Sequence, residues 1–192
     1  MTDPVRVLGI SGSLRRGSFN TAVLRAAMEL APPGMTIVRA ELGDIPLYDE
    51  DVRAAGLPEP VRSFREAVAA ADAVLVVTPE YNYSIPGVLK NAIDWASRPP
   101  SQPFAGKPLA IMGASGGASG TMRAQYHLRQ VAVFLDMHPL NKPEVFVRNA
   151  SDKVDASGRL TDAESRAQVE KQLAALADWT RRLRASAPVT RG

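Results

Sequence analysis

Cysteine is absent from the 192 residues, which excludes disulfides, thiolate nucleophiles and cysteine-ligated metals. Histidine is scarce, and neither of the two histidines has the spacing to carboxylates that a metal site needs. No uncharged apolar run is long enough to span a bilayer, so we expect no membrane insertion. The first residues have no basic region followed by an apolar stretch, which predicts no signal peptide and a cytoplasmic location.

Excess charge is also small. The 23 Lys and Arg residues outnumber the 20 Asp and Glu residues by three, and they are scattered rather than grouped in a block. We therefore expect no nucleic-acid partner. The apolar content of 45% is that of a globular chain, and the length fits a single domain over residues 1–192.

The chain does contain a regular alternation of apolar runs and amphipathic segments. The runs predict strands that are buried on both faces, as in a parallel sheet: Val5 to Ile10, Met35 to Ala40, Ala73 to Val77, Leu109 to Gly113 and Pro143 to Val147. The segments predict helices: Asn20 to Leu30, Glu59 to Ala71, Pro86 to Ser97, Gly120 to Leu135 and Thr161 to Leu183. Together they predict a doubly wound α/β fold, with helices on both faces of a five-stranded parallel sheet.

Two further features concern the end of the chain. Thr161 and Glu164 have the spacing of a capping box, which predicts the start of the last helix. The residues from Ala185 to Gly192 are expected to fray, because chain ends are rarely held by tertiary contacts.

In a sheet of this kind, ligands bind outside the carboxyl ends of the strands. The loops after the first, third and fourth strands therefore carry the candidate site.

The loop after the first strand is rich in hydroxyl groups, whereas dinucleotide-binding loops are rich in glycine. A helix follows it, and a helix N-terminus attracts anions. Hydroxyl and amide donors with one arginine suit a terminal monophosphate. A capped polar turn explains the same residues, so their pattern alone leaves both interpretations open. The candidate phosphate ligands are Ser11, Ser13, Arg15, Ser18, Asn20 and Thr21.

The loop after the third strand runs from Thr78 to Gly87 and contains two tyrosines, a carboxylate, an amide and two prolines. Prolines stiffen the backbone. A stiff loop can present fixed backbone groups and an aromatic wall to a flat ring such as isoalloxazine. A rigid turn with packed tyrosines is an equally good interpretation of the composition. The loop after the fourth strand, 113–120, has small residues that allow close approach of the backbone.

The segment from Pro79 to Trp95 resembles the signature of the NADPH-dependent FMN reductase family, and so does the stretch from Gly9 to Asn20. The resemblance keeps its order over nearly the whole chain. Residues 125–130, 134–136 and 141–144 resemble in particular the bacterial quinone, chromate and azo-dye reductases of this family. Residues 137–139 depart from that pattern but lie away from the loops of the candidate site.

The resemblance implies a flavodoxin-like fold, non-covalently bound FMN, NADPH or NADH as the electron donor, and a quinone or other small molecule as the acceptor. Hydride would pass through the flavin in a ping-pong reaction, with no general acid or base from the protein. The flavin ring would contact Pro79, Glu80, Tyr81, Asn82, Tyr83, Ser84, Ser115, Gly116 and Gly117. A flavodoxin-like electron carrier and a flavin-binding redox sensor remain the alternatives.

The resemblance also implies self-association as a dimer or tetramer. Arg123, Tyr126 and Glu144 match positions that form hydrogen bonds between subunits in that branch of the family. The helical pattern independently predicts one face of this helix toward the sheet and a second, mixed aromatic and polar face away from it. His127 and His138 lie outside the three loops and are expected to be structural or on the surface.

Overall fold

The computed structural model describes residues 3–186. Its strands are β1 (Val5–Ser11), β2 (Met35–Ala40), β3 (Ala73–Val77), β4 (Pro108–Ala114), β5 (His138–Pro139) and β6 (Val145–Val147). All pair in parallel in the order β2-β1-β3-β4, with β5 and β6 both beside β4. This is the flavodoxin-like strand order, and it confirms the predicted doubly wound sheet.

The fifth position of the sheet differs from the single strand that the sequence predicts. β5 pairs with the first two residues of β4, and β6 pairs with the last three, so two short strands share one edge. The interruption contains Pro143, which has no backbone N–H to donate to the sheet.

The helices are α1 (Phe19–Glu29), α2 (Glu50–Ala55), α3 (Glu59–Ala70), α4 (Gly87–Ala96), α5 (Met122–Phe134) and α6 (Ala163–Ser186). Five of them lie within a few residues of the predicted bounds. The exception, α2, was not predicted because none of its residues is buried, so it has no apolar stripe.

The sheet has a hydrophobic core on each face. On one face, alternate residues of β1, β3 and β4 pack against α3, α4 and α5, with Trp95 among the largest buried side chains. On the other face, the intervening strand residues pack against α1 and α6, including Leu173 and Leu176. Every residue of β3 is buried, as expected for a central strand covered on both sides.

The start of α6 corrects the predicted capping box. The Asp162 carboxylate accepts a hydrogen bond from the Ser165 backbone N–H at 2.8 Å, so the cap lies one residue after the predicted Thr161. The Thr161 hydroxyl instead donates to the carbonyl of Lys153 at 3.2 Å. The helix continues to Ser186, and the rest of the segment predicted to fray lies outside the described residues.

A buried arginine fixes α4, the helix that follows the tyrosine-containing loop. The Arg65 guanidinium donates to the carbonyls of Ala96 and Arg98 at 3.0 and 2.9 Å, and also bonds to Trp95 and Ser101. These carbonyls lie at and beyond the C-terminal end of the helix, where they have no partner within it. Burial lowers the pKa of this guanidinium. Arg65 therefore ties α3 to the end of α4.

Candidate functional site

The three predicted loops meet at one cleft, outside the carboxyl ends of β1, β3 and β4. Its volume is about 220 Å³, and it is lined by Ser13, Arg15, Ser18, Phe19, Asn20, Pro79, Glu80, Tyr81, Ala114, Ser115 and Gly116. The strand order reverses between β1 and β3, which is where sheets of this kind bind ligands. The other predicted site residues lie on the same loops, next to this lining.

The hydroxyl-rich loop forms the N-terminal end of α1. Ser18 caps the helix, because its Oγ accepts a hydrogen bond from the Thr21 backbone N–H at 3.3 Å. Ser11 Oγ and Thr21 Oγ1 lie 2.9 Å apart and bond to each other. Ser11, Ser13, Ser18 and Thr21 are all buried. The loop thus presents the positive end of a helix together with sheltered hydroxyl groups.

Asn20 also forms hydrogen bonds to a distant strand, which the sequence did not predict. Its Nδ2 donates to the Ala114 carbonyl at 3.0 Å, and its Oδ1 accepts from the Ala114 N–H at 2.8 Å. This buried pair of bonds joins α1 to the end of β4. Asn20 therefore sets the distance between the first and third loops of the site.

Arg15 is one of two exposed cations of the first loop, next to Arg16. Its guanidinium lies 5.1 Å from the centroid of the Phe19 ring, a cation–π distance that holds the side chain beside the cleft. A charged donor at the N-terminal end of a helix strengthens the attraction for an anion.

The loop after β3 forms a tight hairpin. The N–H of Tyr81 donates to the Ser84 carbonyl at 3.0 Å, and the N–H of Ser84 donates back to Tyr81 at 3.0 Å. Asn82 and Tyr83 between them have φ angles of +51° and +64°. Two left-handed residues in succession form the turn that suits a two-residue hairpin. Both tyrosine side chains are exposed at its tip.

Contacts with helix α5 hold this hairpin in position. Glu80, which precedes the hairpin, bonds to the first turn of α5, and its side chain is 9% exposed. The Arg123 guanidinium lies 3.8 Å from the centroid of the Tyr83 ring. Ser84 Oγ lies 2.7 Å from Nδ1 of His127. No sequence pattern connects His127 with this loop, since Ser84 and His127 are 43 residues apart.

The loop after β4 depends on glycine. A Cβ at Gly113 would lie 1.8 Å from Thr121 Oγ1 and 2.6 Å from the Thr78 carbonyl oxygen, so any larger residue would separate the loops. Gly116 has no atom within 4 Å of such a Cβ, whereas Gly117 has Ser115 Oγ at 3.9 Å. The Gly116 backbone is therefore open to a ligand that approaches from outside. Ser115 Oγ bonds to the backbone of Gly117 and shapes this tip.

The residues predicted at a subunit interface bond within the chain. Tyr126 Oη donates to Glu144 Oε1 at 2.9 Å, while the Lys142 ammonium binds Glu144 Oε2 at 2.6 Å. The Lys142 ammonium, helped by Tyr126, lowers the pKa of the Glu144 carboxyl. The carboxylate in turn raises the pKa of the Tyr126 phenol. Arg123 bonds to Glu80 of the same chain.

The part of the chain that the structure describes contains neither a candidate metal site nor a helix that could span a membrane. Residues 3–186 contain no group of three or more acidic, histidine or cysteine side chains that could hold a metal ion. None of the helices in this range combines the length and the hydropathy needed to cross a membrane.

Known proteins are similar to this chain over nearly its full length. The sequence profile described as NADPH-dependent FMN reductase matches residues 5–152. An NAD(P)H-dependent FMN reductase of Pseudomonas aeruginosa is 62% identical over 184 residues, which cover 96% of this chain and 100% of the relative. A quinone reductase of Escherichia coli is 45% identical over 187 residues, again 96% of this chain and 100% of the relative.

A solved structure also resembles the protein closely. It is FerB, a flavoenzyme NAD(P)H:(acceptor) oxidoreductase of Paracoccus denitrificans, which superposes with a TM-score of 0.84 and 34% sequence identity. The match covers 93% of this chain and 98% of FerB. The structural match agrees with the observed flavodoxin-like fold. The chain belongs to the NADPH-dependent FMN reductase family.

Proposed function

We propose that this protein is a single-domain, NAD(P)H-dependent FMN enzyme that reduces quinones and similar small acceptors. One observation carries the proposal. The loops after β1, β3 and β4 line a single cleft, with an anion-attracting helix end on one side and a rigid tyrosine hairpin on the other. Relatives named as FMN reductases and quinone reductases, 62% and 45% identical, support the same chemistry. The predicted cytoplasmic location stays a prediction.

The residues of the first loop fit the phosphate of FMN. Their buried hydroxyls, the free N–H groups of the α1 N-terminus and the Arg15 cation together form a donor set for a dianion. The proposed phosphate ligands are Ser13, Arg15 and Ser18 directly. Ser11, Asn20 and Thr21 hold the loop in shape through the bonds they already make.

The second and third loops fit the flavin ring. Pro79 is buried and rigid, and Tyr81 adds an aromatic surface beside it. Asn82, Tyr83 and Ser84 keep the hairpin in position. The small residues Ser115, Gly116 and Gly117, with the open backbone of Gly116, suit the polar pyrimidine edge. Bound FMN supplies the hydride chemistry, which the side chains of this chain lack.

The protein's own contribution to the reaction is position and electrostatics. Neither His127 nor His138 lines the cleft, so neither is proposed as a general acid or base. The rigid loops hold the ring and leave one side of it for the nicotinamide and then for the acceptor. Sharing one side predicts ping-pong kinetics, with parallel double-reciprocal plots.

Self-association is part of the proposal and rests on α5. Met122, Tyr126, Val133 and Phe134 are exposed on this helix, Val133 and Phe134 each by 79%. An exposed apolar helix beside the site is suited to a symmetric contact with a second copy. Arg123, Tyr126 and Glu144 would then bond across a two-fold axis in a dimer or tetramer. A monomer with full activity, measured by light scattering and turnover, would contradict this part.

A test of the function uses the purified protein. We expect one FMN per chain, released by acid, and steady oxidation of NADPH or NADH when a quinone, an azo dye or free flavin is supplied. An electron carrier or a redox sensor would bind FMN with negligible turnover on the whole panel of acceptors. That result would replace the proposed enzyme with one of the two alternatives.

A further inference from the structure

A second cleft adjoins the candidate cofactor cleft. Its volume is about 500 Å³, and it lies between the carboxyl ends of β1 and β2, beside α1. Ser13 and Arg15 line both clefts. A molecule bound at the tyrosine hairpin in the first cleft can therefore extend past these two residues into the second.

The second cleft concentrates positive charge. Arg15, Arg16, Arg25 and Arg39 line it, against the single acid Glu41. This excess of three positive charges equals the formal excess of the entire chain. The arginines come from three separate elements: the first loop, α1 and β2. Like charges placed close together repel one another, and a bound anion would offset this repulsion.

Most of this charge is unpaired. Within residues 3–186, Arg15, Arg16 and Arg25 form no salt bridge. Arg39 bonds Glu41 at 3.1 Å, but the two side chains are 34% and 72% exposed. An exposed ion pair of this kind contributes little, so Arg39 can exchange it for a stronger anion.

We propose that this arginine cleft binds the 2′-phosphate of NADPH and so selects NADPH over NADH; the inference rests on the proposed function. NADPH and NADH differ only in this phosphate, which lies on the adenosine ribose. Guanidinium groups bind phosphates through paired, charge-assisted hydrogen bonds. Arg39 is the next-to-last residue of β2. Its place at the carboxyl end of β2 puts it in the same cleft as Arg16 and Arg25.

Glu41 makes the inference testable in both directions. A carboxylate near the adenosine ribose favours the free hydroxyl of NADH and repels a phosphate. Removing the Glu41 charge should therefore improve NADPH binding, whereas removing the Arg39 charge should weaken it. A nonspecific loss of folding or of bound flavin would not make substitutions at Arg39 and Glu41 change NADPH binding in opposite directions.

The direct experiment is calorimetric titration of the FMN-loaded protein with adenosine 2′,5′-bisphosphate and with adenosine 5′-monophosphate. We expect the bisphosphate to bind about tenfold or more tightly, and Arg39→Ala or Arg16→Ala to reduce that ratio to about twofold or less. Glu41→Gln should increase the ratio. The matched control is Arg182→Ala, an exposed arginine near the C-terminal end of α6, which should leave the ratio unchanged.

Kinetics separate a failure of this inference from a failure of the proposed function. The inference predicts a rise of about tenfold in KM for NADPH in Arg39→Ala, with kcat and KM for NADH nearly unchanged. Equal effects on both nicotinamides, an unchanged binding ratio, or a wild-type preference for NADH would overturn the arginine cleft and leave the reductase intact. Failure to oxidise either nicotinamide would instead overturn the proposed function.

Discussion

Glu80 closes the N-terminal end of α5 through Arg123. Its carboxylate accepts hydrogen bonds from the Arg123 backbone N–H at 3.0 Å, from Arg123 Nε at 2.6 Å and from the Ala124 N–H at 3.1 Å. Thr121, the residue at the capping position, is in a left-handed conformation and makes no side-chain cap. A carboxylate from a distant loop therefore replaces the usual local cap and joins the hairpin to α5.

Removing this carboxylate should loosen the site. We expect Glu80→Ala to lower the free energy of unfolding by about 1–3 kcal/mol, because two helix N–H groups and Arg123 lose their acceptor. FMN binding should weaken as well, since the hairpin loses its attachment. Urea unfolding of the apoprotein and titration with FMN measure the two effects.

The control for Glu80 is Glu66→Ala, at an exposed glutamate of α3. Its unfolding and its FMN affinity should match those of the wild type. If Glu80→Ala behaves like this control in both measurements, the carboxylate does not join the hairpin to α5.

Arg65 should be needed for stability rather than for flavin chemistry. Replacing it with methionine keeps the apolar stem but leaves the carbonyls at the end of α4 without a donor. We expect Arg65→Met to destabilise the protein by about 2–4 kcal/mol in urea unfolding. Arg62→Met changes an exposed arginine of the same helix and should cost far less. Equal losses in the two variants would show that the buried contacts contribute nothing specific.

Arg15 should bind the phosphate of FMN and no other part of the cofactor. We expect Arg15→Ala to weaken FMN binding by about 1.5–3 kcal/mol, the range for a hydrogen bond to a charged group. Riboflavin has no phosphate, so its affinity should be the same in variant and wild type. Fluorescence titration of both flavins gives the comparison. A variant that loses affinity equally for FMN and riboflavin would place Arg15 elsewhere.

Asp162 should make stability depend on pH. The Ser165 hydrogen bonds, with the Lys153 ammonium 3.3 Å away, lower the pKa of its carboxyl. A lowered pKa stabilises the fold above the carboxyl's unfolded pKa, and this contribution disappears as the pH falls through the folded value. Asp162→Asn keeps a capping side chain without the charge.

The comparison for Asp162 is thermal unfolding of both proteins across this pH range. The Asn variant should be the less stable at about pH 7, and its deficit should shrink as the pH falls below the unfolded carboxyl pKa of about 3.9. A difference between the two proteins that persists unchanged to the acid end would mean that the charge is not its source.

The sequence predicted most of the sheet, because strands such as β3 are apolar along their whole length. It missed α2, which buries nothing, and the break between β5 and β6, where residues 140–144 contain Pro143 and three polar residues. The loops of the site were recognisable from their hydroxyls, tyrosines and glycines. Their order in the chain also matched the family.

Contacts between residues that are far apart in the chain could not be predicted from the sequence. Asn20 and Ala114 are 94 positions apart, and Glu80 and Arg123 are 43 apart. Each pair forms only after the strand ends have met at one edge of the sheet. The arginine cleft could not be predicted for the same reason, since Arg15, Arg25 and Arg39 belong to different elements and the net charge is small.

The most direct test of the central claim is anaerobic mixing of the FMN-loaded protein with NADPH, followed by a quinone, while the flavin absorbance is recorded. The account predicts that one equivalent of NADPH bleaches the flavin and that the quinone restores its absorbance within the turnover time. A flavin that stays oxidised with both NADPH and NADH, or that is bleached but not restored by any quinone, would contradict the assignment as an NAD(P)H-dependent quinone reductase.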